Sequence, residues 1–174
     1  MSFKVLDYVF LFHMRSLGNT EVLKEIKTIL KTSKIDILSG IKNCCDFLKA
    51  NISYFDWVGF YFADFQKKNL YLKAFSGKPT DHTIIPFGIG ICGQVALSNK
   101  NLMAPDVKVQ DNYIPCSLDV KSELVVPLFL EGKNIGQIDI DSNKLNPFSK
   151  EDELLLEACC DLISKTYGNS LLSL

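Results

Sequence analysis

Two cysteines stand alone in this chain: Cys92 in GIGICGQVA and Cys116 in DNYIPCSLDVKSELVVP, with the acidic segment QIDIDSN close behind. Both lie in glycine- or proline-marked loop sequence near carboxylates, where a thiol can do redox chemistry, and neither has the spacing of a zinc site. Asp139 and Asp141 are two residues apart, so on a strand their side chains leave the same face. Acids crowded together raise one another's pKa, and one can keep its proton near neutral pH. A nucleophilic thiol beside a protonatable carboxyl group is the working pair of a thiol enzyme.

Those residues need elements to hold them. From Asn19 to Ala50 two helical patterns follow one another, one carried by Val22, Leu23, Ile26, Ile29 and Leu30 with Thr20 as N-cap, the other by Ile37, Leu38, Ile41, Cys45 and Leu48. The period then shortens: DWVGFYFADF and NLYLKAF alternate around the polar turn QKK and read as a hairpin. A glycine-marked entry leads into a short helix from about Ile91 to Ser98, followed by the loop-rich MAPDVKVQDNYIPCSLDVK. SELVVPLFL and NIGQIDIDS read as two strands joined at EGKN, with Pro127 marking an edge position or a bulge. Ser149 and Asp152 form a capping box ahead of a closing helix over EDELLLEACCDLISKTYG, and the GNSLLSL tail is expected to fray. The sum is an α+β domain, an antiparallel sheet with helices gathered on one face.

Bulk properties narrow the function. The chain has 174 residues, 47% of them hydrophobic, which suits a single core spanning 19–170 behind an N-terminal extension at 1–18. Nineteen basic and twenty acidic residues give a net charge of −1, without the basic excess that nucleic acid demands. The apolar patch from Tyr8 to Phe12 is too short for a signal sequence, and no run reaches the ~18 residues of a membrane span, so a soluble, cytoplasmic protein is expected. Four of the six cysteines form the pairs Cys44-Cys45 and Cys159-Cys160 inside helical patterns and read as buried free thiols. Gly88, Gly90 and Gly93 match a phosphate-cradling pattern without its strand or acidic partner, and His13 and His82 lack ligand spacing. Neither a cofactor nor a metal is expected.

WVGFY at 57–61, SGKP at 76–79, IPFGIGICG at 85–93, PDV at 105–107, YIPC at 113–116, SELVVP at 122–127 and IGQIDIDS at 135–142 together resemble the free methionine-(R)-sulfoxide reductases, enzymes built on a GAF domain. The resemblance implies a sheet of about six antiparallel strands flanked by helices, a homodimer, and a small pocket for free methionine sulfoxide. It casts Cys116 as the nucleophile, Trp57 and Tyr61 as pocket walls, and Glu123, Asp139 and Asp141 as partners of the substrate's polar end. One position departs: three-cysteine members carry a cysteine where KPTDH has Asp81, which leaves Cys92 as the remaining motif cysteine. Ser117 also stands where an aspartate is usual, with Asp119 two residues on.

On that reading Cys116 attacks sulfur, a carboxylic acid protonates the oxygen, and a sulfenic acid remains on Cys116. Cys92 could then close a disulfide for thioredoxin to reopen, or an external thiol could act directly. Ordinary core packing is the competing account of Trp57 and Tyr61, and an exposed sheet face that of the two aspartates. A GAF module that binds a small molecule without turnover is the rival for the whole chain, and Asp81 favours it.

Overall fold

The computed structural model describes residues 17–33, 36–110 and 119–174. Cys116, Ser117, His13 and nearly all of the N-terminal extension lie outside the described residues. Two helices, α1 (Asn19–Thr32) and α2 (Ile37–Asn51), lead into the hairpin β1 (Trp57–Asp64) and β2 (Asn69–Ser76). The short strand β3 (Ile84–Pro86), helix α3 (Gly90–Ser98) and short strand β4 (Leu102–Ala104) follow. The long strands β5 (Ser122–Leu130) and β6 (Lys133–Ser142) and the closing helix α4 (Lys150–Tyr167) complete the domain.

The strands form one six-stranded sheet in the order β3-β2-β1-β6-β5-β4, and every neighbouring pair is antiparallel. The order puts β1 and β6 at the centre and confines the edges to three-residue strands, which limits unpaired ladder groups. Local chemistry sets the turns. Asp64 Oδ1 accepts from the backbone N–H groups of Gln66 and Lys67 to close the first hairpin. Glu131 and Gly132 turn the second with φ of 50° and 77°, the two positive values of a type I′ turn. Pro127 pairs with Gln137 on one side, while β4 ends at the register of Val125, so its missing N–H falls on an open edge.

Each face of the sheet carries its own core. Val58, Phe60, Ile138 and Ile140 point to the face covered by α1, α2 and α4, where Cys44, Cys45, Cys159 and Cys160 are buried as free thiols. Trp57, Tyr61 and Val125 point the other way, against α3. Helices therefore lie on both faces, and the expectation that they gather on one is corrected. The 8-residue β1 buries alternating residues on opposite sides, and only a second layer can cover the Trp57 side.

Two smaller expectations also fail. Helix α1 starts at Asn19 with Gly18, not Thr20, at the N-cap, and the Asn19 side chain donates instead to Glu151 O in α4 at 3.1 Å. The tail does not fray: Gly168–Ser173 forms a 3-10 helix that buries Leu171 in the main core. Among the described residues, no helix is long and apolar enough to cross a membrane.

The capping box at α4 is present, with Ser149 N–H donating to Asp152 Oδ2 at 2.7 Å, while Asp152 Oδ1 accepts from Tyr54 OH at 2.6 Å. Because Asp152 serves the cap and a helix-to-loop tie together, Asp152→Ala should destabilise the fold by about 1–3 kcal/mol in urea unfolding. A loss below ~0.5 kcal/mol would show that neither bond matters.

Candidate active site

Register builds the site. Trp57 on β1 pairs with Asp141 on β6, which pairs in turn with Glu123 on β5, so all three side chains leave one face in a single cross-strand row. Gly59, Asp139 and Val125 form the next same-face row, and Tyr61, Gln137 and Pro127 the one after. The carboxylates of three acids are thereby placed on adjacent strands about 4.8 Å apart. Glu123, Asp139 and Asp141 are 3%, 2% and 3% exposed, so the exposed-sheet account of the aspartates is excluded.

Helix α3 brings Cys92 down onto this floor. Its thiol donates to Glu123 Oε1 at 3.8 Å, and the donor atoms of Cys92, Glu123 and Asp139 lie within 4.8 Å of one another. One sulfur and two carboxylate oxygens form a set that can hold a divalent cation, at the expense of the protons that burial favours there.

Burial pushes Asp139 up to about 7, with hydrogen bonds from Cys92 and Glu123 restraining the rise. Glu123 is held well above the carboxylate range by burial and by the charges of Asp139 and Asp141. Asp141 is raised by burial, then by Asp139 and Asp56. Burial and mutual repulsion thus favour the protonated form across the cluster, whose titration belongs to the group as a whole. Asp139 Oδ1 and Asp141 Oδ1 are buried without a hydrogen-bond partner, free to receive a donor from a ligand.

A pocket of about 500 Å³ opens over the two aspartates, with Trp57 and Tyr61 among its walls. The Trp57 indole stacks on Phe75 at 5.7 Å, and its Nε1–H donates to Lys78 O at 3.1 Å. It lies across Gly59, where an added Cβ would fall 2.1 Å from the ring, and against Gly77, whose φ of 140° and 2.4 Å approach both require glycine. Tyr61 OH donates to His82 O at 2.9 Å. At the mouth, Lys78 reaches across to Asp119 at 2.6 Å.

Of the residues singled out in the sequence, Trp57, Tyr61, Cys92, Glu123, Asp139 and Asp141 meet on one face, and Cys116 falls outside the described residues. Sequence reasoning missed Asp56, which accepts from Asn143 N at 2.8 Å and lines the pocket, and Lys49 and Lys78 at its rim. It also missed Gln137, fully buried with neither amide atom hydrogen-bonded. The signal was available: IGQIDIDS alternates, so the glutamine shares the face of Asp139 and Asp141.

Residues 37–167 match the GAF domain family. The chain is 33% identical to the free methionine-R-sulfoxide reductase of Escherichia coli, over 71% of this chain and 73% of the relative. It is a member of that reductase family within the GAF fold. GAF domain-containing protein A of Dictyostelium discoideum is 37% identical over 82% of this chain and 87% of its own length. Among solved structures, the free methionine-R-sulfoxide reductase of Neisseria meningitidis in complex with its substrate superposes with a TM-score of 0.82 at 34% identity, covering 90% of this chain and 92% of that one.

Two outcomes follow from the site. Gly59→Val should displace the Trp57 ring and weaken binding of a pocket ligand at least tenfold by calorimetry while the far-UV spectrum is retained; unchanged affinity would remove the indole from the pocket wall. The second concerns pH. Asp139 binds its proton more tightly folded than unfolded, so its contribution to stability is whole below pH ~4 and falls as pH rises towards about 7. Asp139→Asn should therefore gain on the order of 1–3 kcal/mol above pH 7 and little at pH 4, and an equal effect at both would refute the burial account.

Proposed function

We propose that this chain reduces free methionine-(R)-sulfoxide to methionine, with Cys116 as nucleophile and the Glu123, Asp139 and Asp141 cluster as proton source and ammonium site. The observation that carries the reading is the cluster of buried carboxylates beside a Trp57 and Tyr61 wall. Reductases of this family supply the reaction class, an oxidoreductase acting on methionine sulfoxide. A free amino acid brings an ammonium group, and the unpartnered oxygens of Asp139 and Asp141 are its natural acceptors. The methyl and methylene groups suit the aromatic wall.

Chain connectivity supports the role of Cys116. Asp119 and Val120 line the pocket, and Cys116 precedes Asp119 by three residues in the sequence, a reach of at most about 11 Å. In the reaction the Cys116 thiolate attacks the sulfoxide sulfur while a cluster carboxylic acid protonates the oxygen. Methionine leaves, and the oxygen ends on Cys116 as a sulfenic acid. Cys92 then condenses with it, forming the Cys92–Cys116 disulfide and releasing water, and thioredoxin reduces the disulfide. Cys92 is the candidate for this step because it already touches the acids that border the pocket.

The test is methionine release from the separate R and S epimers by wild type and Cys116→Ser, with dithiothreitol and with a thioredoxin system. Turnover of the R epimer should fall by at least a thousandfold in the mutant. Retained turnover in Cys116→Ser would reassign the nucleophile, and binding of the sulfoxide without release by folded, reduced wild type would favour a ligand-binding GAF module.

A further inference from the structure

Asp56 is a further acid on the larger pocket, and the reaction as derived gives it no part. It stands just before β1, where its backbone N–H donates to Asp141 O at 2.9 Å. Its side chain does not follow the alternation of the strand. Instead Oδ2 turns to the end of β6 and accepts from Asn143 N at 2.8 Å and from Ser142 Oγ at 3.4 Å. Those two bonds hold the carboxylate at the end of the sheet, on the same pocket as Asp139 and Asp141. Both bonds use Oδ2, and among the described residues nothing donates to Oδ1. No lysine pairs with it there either: Lys78, on the same pocket, is held by Asp119 at 2.6 Å.

We propose that Asp56 is a specificity-determining residue of this pocket, its carboxylate supplying the negative charge that selects a ligand with an ammonium group over the same sulfoxide without one. The inference rests on the proposed function, whose free amino acid it takes as the ligand. An ammonium group has three N–H donors. Asp139 Oδ1 and Asp141 Oδ1, both buried without a partner, can accept two of them, and Asp56 Oδ1 is the third acceptor. Acceptors alone do not balance a cation. Burial favours the protonated form of Asp139 and Asp141, and a neutral acid accepts a weaker hydrogen bond than a carboxylate does. Asp56 is only half-buried. Its charge also reaches the cluster, since Asp141 is raised by burial first and then by the charges of Asp139 and Asp56. An ammonium group bound among these acids relieves that repulsion as it binds.

A charge left unpaired on the pocket acts as a filter. A hydroxyl in place of the amino group donates one hydrogen bond, carries no charge, and leaves the Asp56 carboxylate uncompensated. A site built to receive N–H donors rejects the analogue that lacks them, because its own polar groups then go unpaired. The substrate's carboxylate, on the same carbon, does not meet acids alone, since Lys49 and Lys78 line the pocket as well.

The experiment compares methionine-(R)-sulfoxide with its 2-hydroxy analogue, using dithiothreitol as reductant, in wild type, Asp56→Asn and Asp56→Glu. Asparagine keeps an oxygen that can accept from Asn143 N and Ser142 Oγ, so Asp56→Asn removes the charge and spares the tie to β6. Wild type should favour the amino acid by at least about tenfold in kcat/KM. Asp56→Asn should lower kcat/KM for the amino acid at least about tenfold, through KM, and lower that for the hydroxy analogue by less than about twofold. Asp56→Glu, which keeps the charge, should outperform Asp56→Asn on the amino acid. Equal losses on both compounds would assign Asp56 to the fold and overturn the proposal, as would an amino-acid kcat/KM unchanged in Asp56→Asn. A wild type that treats the two compounds alike overturns it without any variant. Folded, reduced wild type that releases no methionine from the sulfoxide would instead sink the parent reading.

Discussion

Three carboxylic acids buried side by side on one sheet face set the terms for the rest of this molecule. Glu123, Asp139 and Asp141 are buried a few ångströms apart, and both burial and mutual repulsion oppose ionising all three at once. A cluster of that kind opposes folding, and it persists because the layers around it over-determine its position. The paired strands β5 and β6 fix the acids in register, helix α3 closes one side, and the aromatic wall closes another.

The two-faced sheet separates stability from chemistry. The larger core, between the sheet and α1, α2 and α4, buries aliphatic and aromatic side chains together with four cysteine thiols. Burial pushes Cys44 up to about 12 and raises its three companions further, which keeps them as inert thiols at neutral pH. The opposite face carries a smaller core interrupted by acids, an unsatisfied glutamine and two cavities. Polar groups there are bearable because only one face holds them.

Much of this was legible before any coordinates. The β6 alternation placed Asp139 and Asp141 on one face, the hairpins and the capping box announced themselves through turn and cap chemistry, and the apolar periods located α2 and α4. Errors arose where a distant partner overrode a local signal. Asn19 bonds Glu151 in another helix and moves the start of α1, and Leu171 gains enough burial to order a tail that reads as polar and short. The second helical layer was missed because α3 is apolar nearly all round, and a uniform pattern carries no direction.

The sequence by itself determined the inventory of the site: its acids, its isolated thiols, its aromatic pair, and which of them share a strand face, because alternation is a local property of the chain. Only the tertiary structure decided that Glu123 lies beside Asp141, since that follows from the register between strands. Likewise, only packing decided that Cys92 reaches the acids from a helix on the far layer, that Gly59 and Gly77 make room for the indole, and that Asp139 is held near 7. Burial and proximity between distant segments set those features, and both are sums over the whole fold that no local window contains.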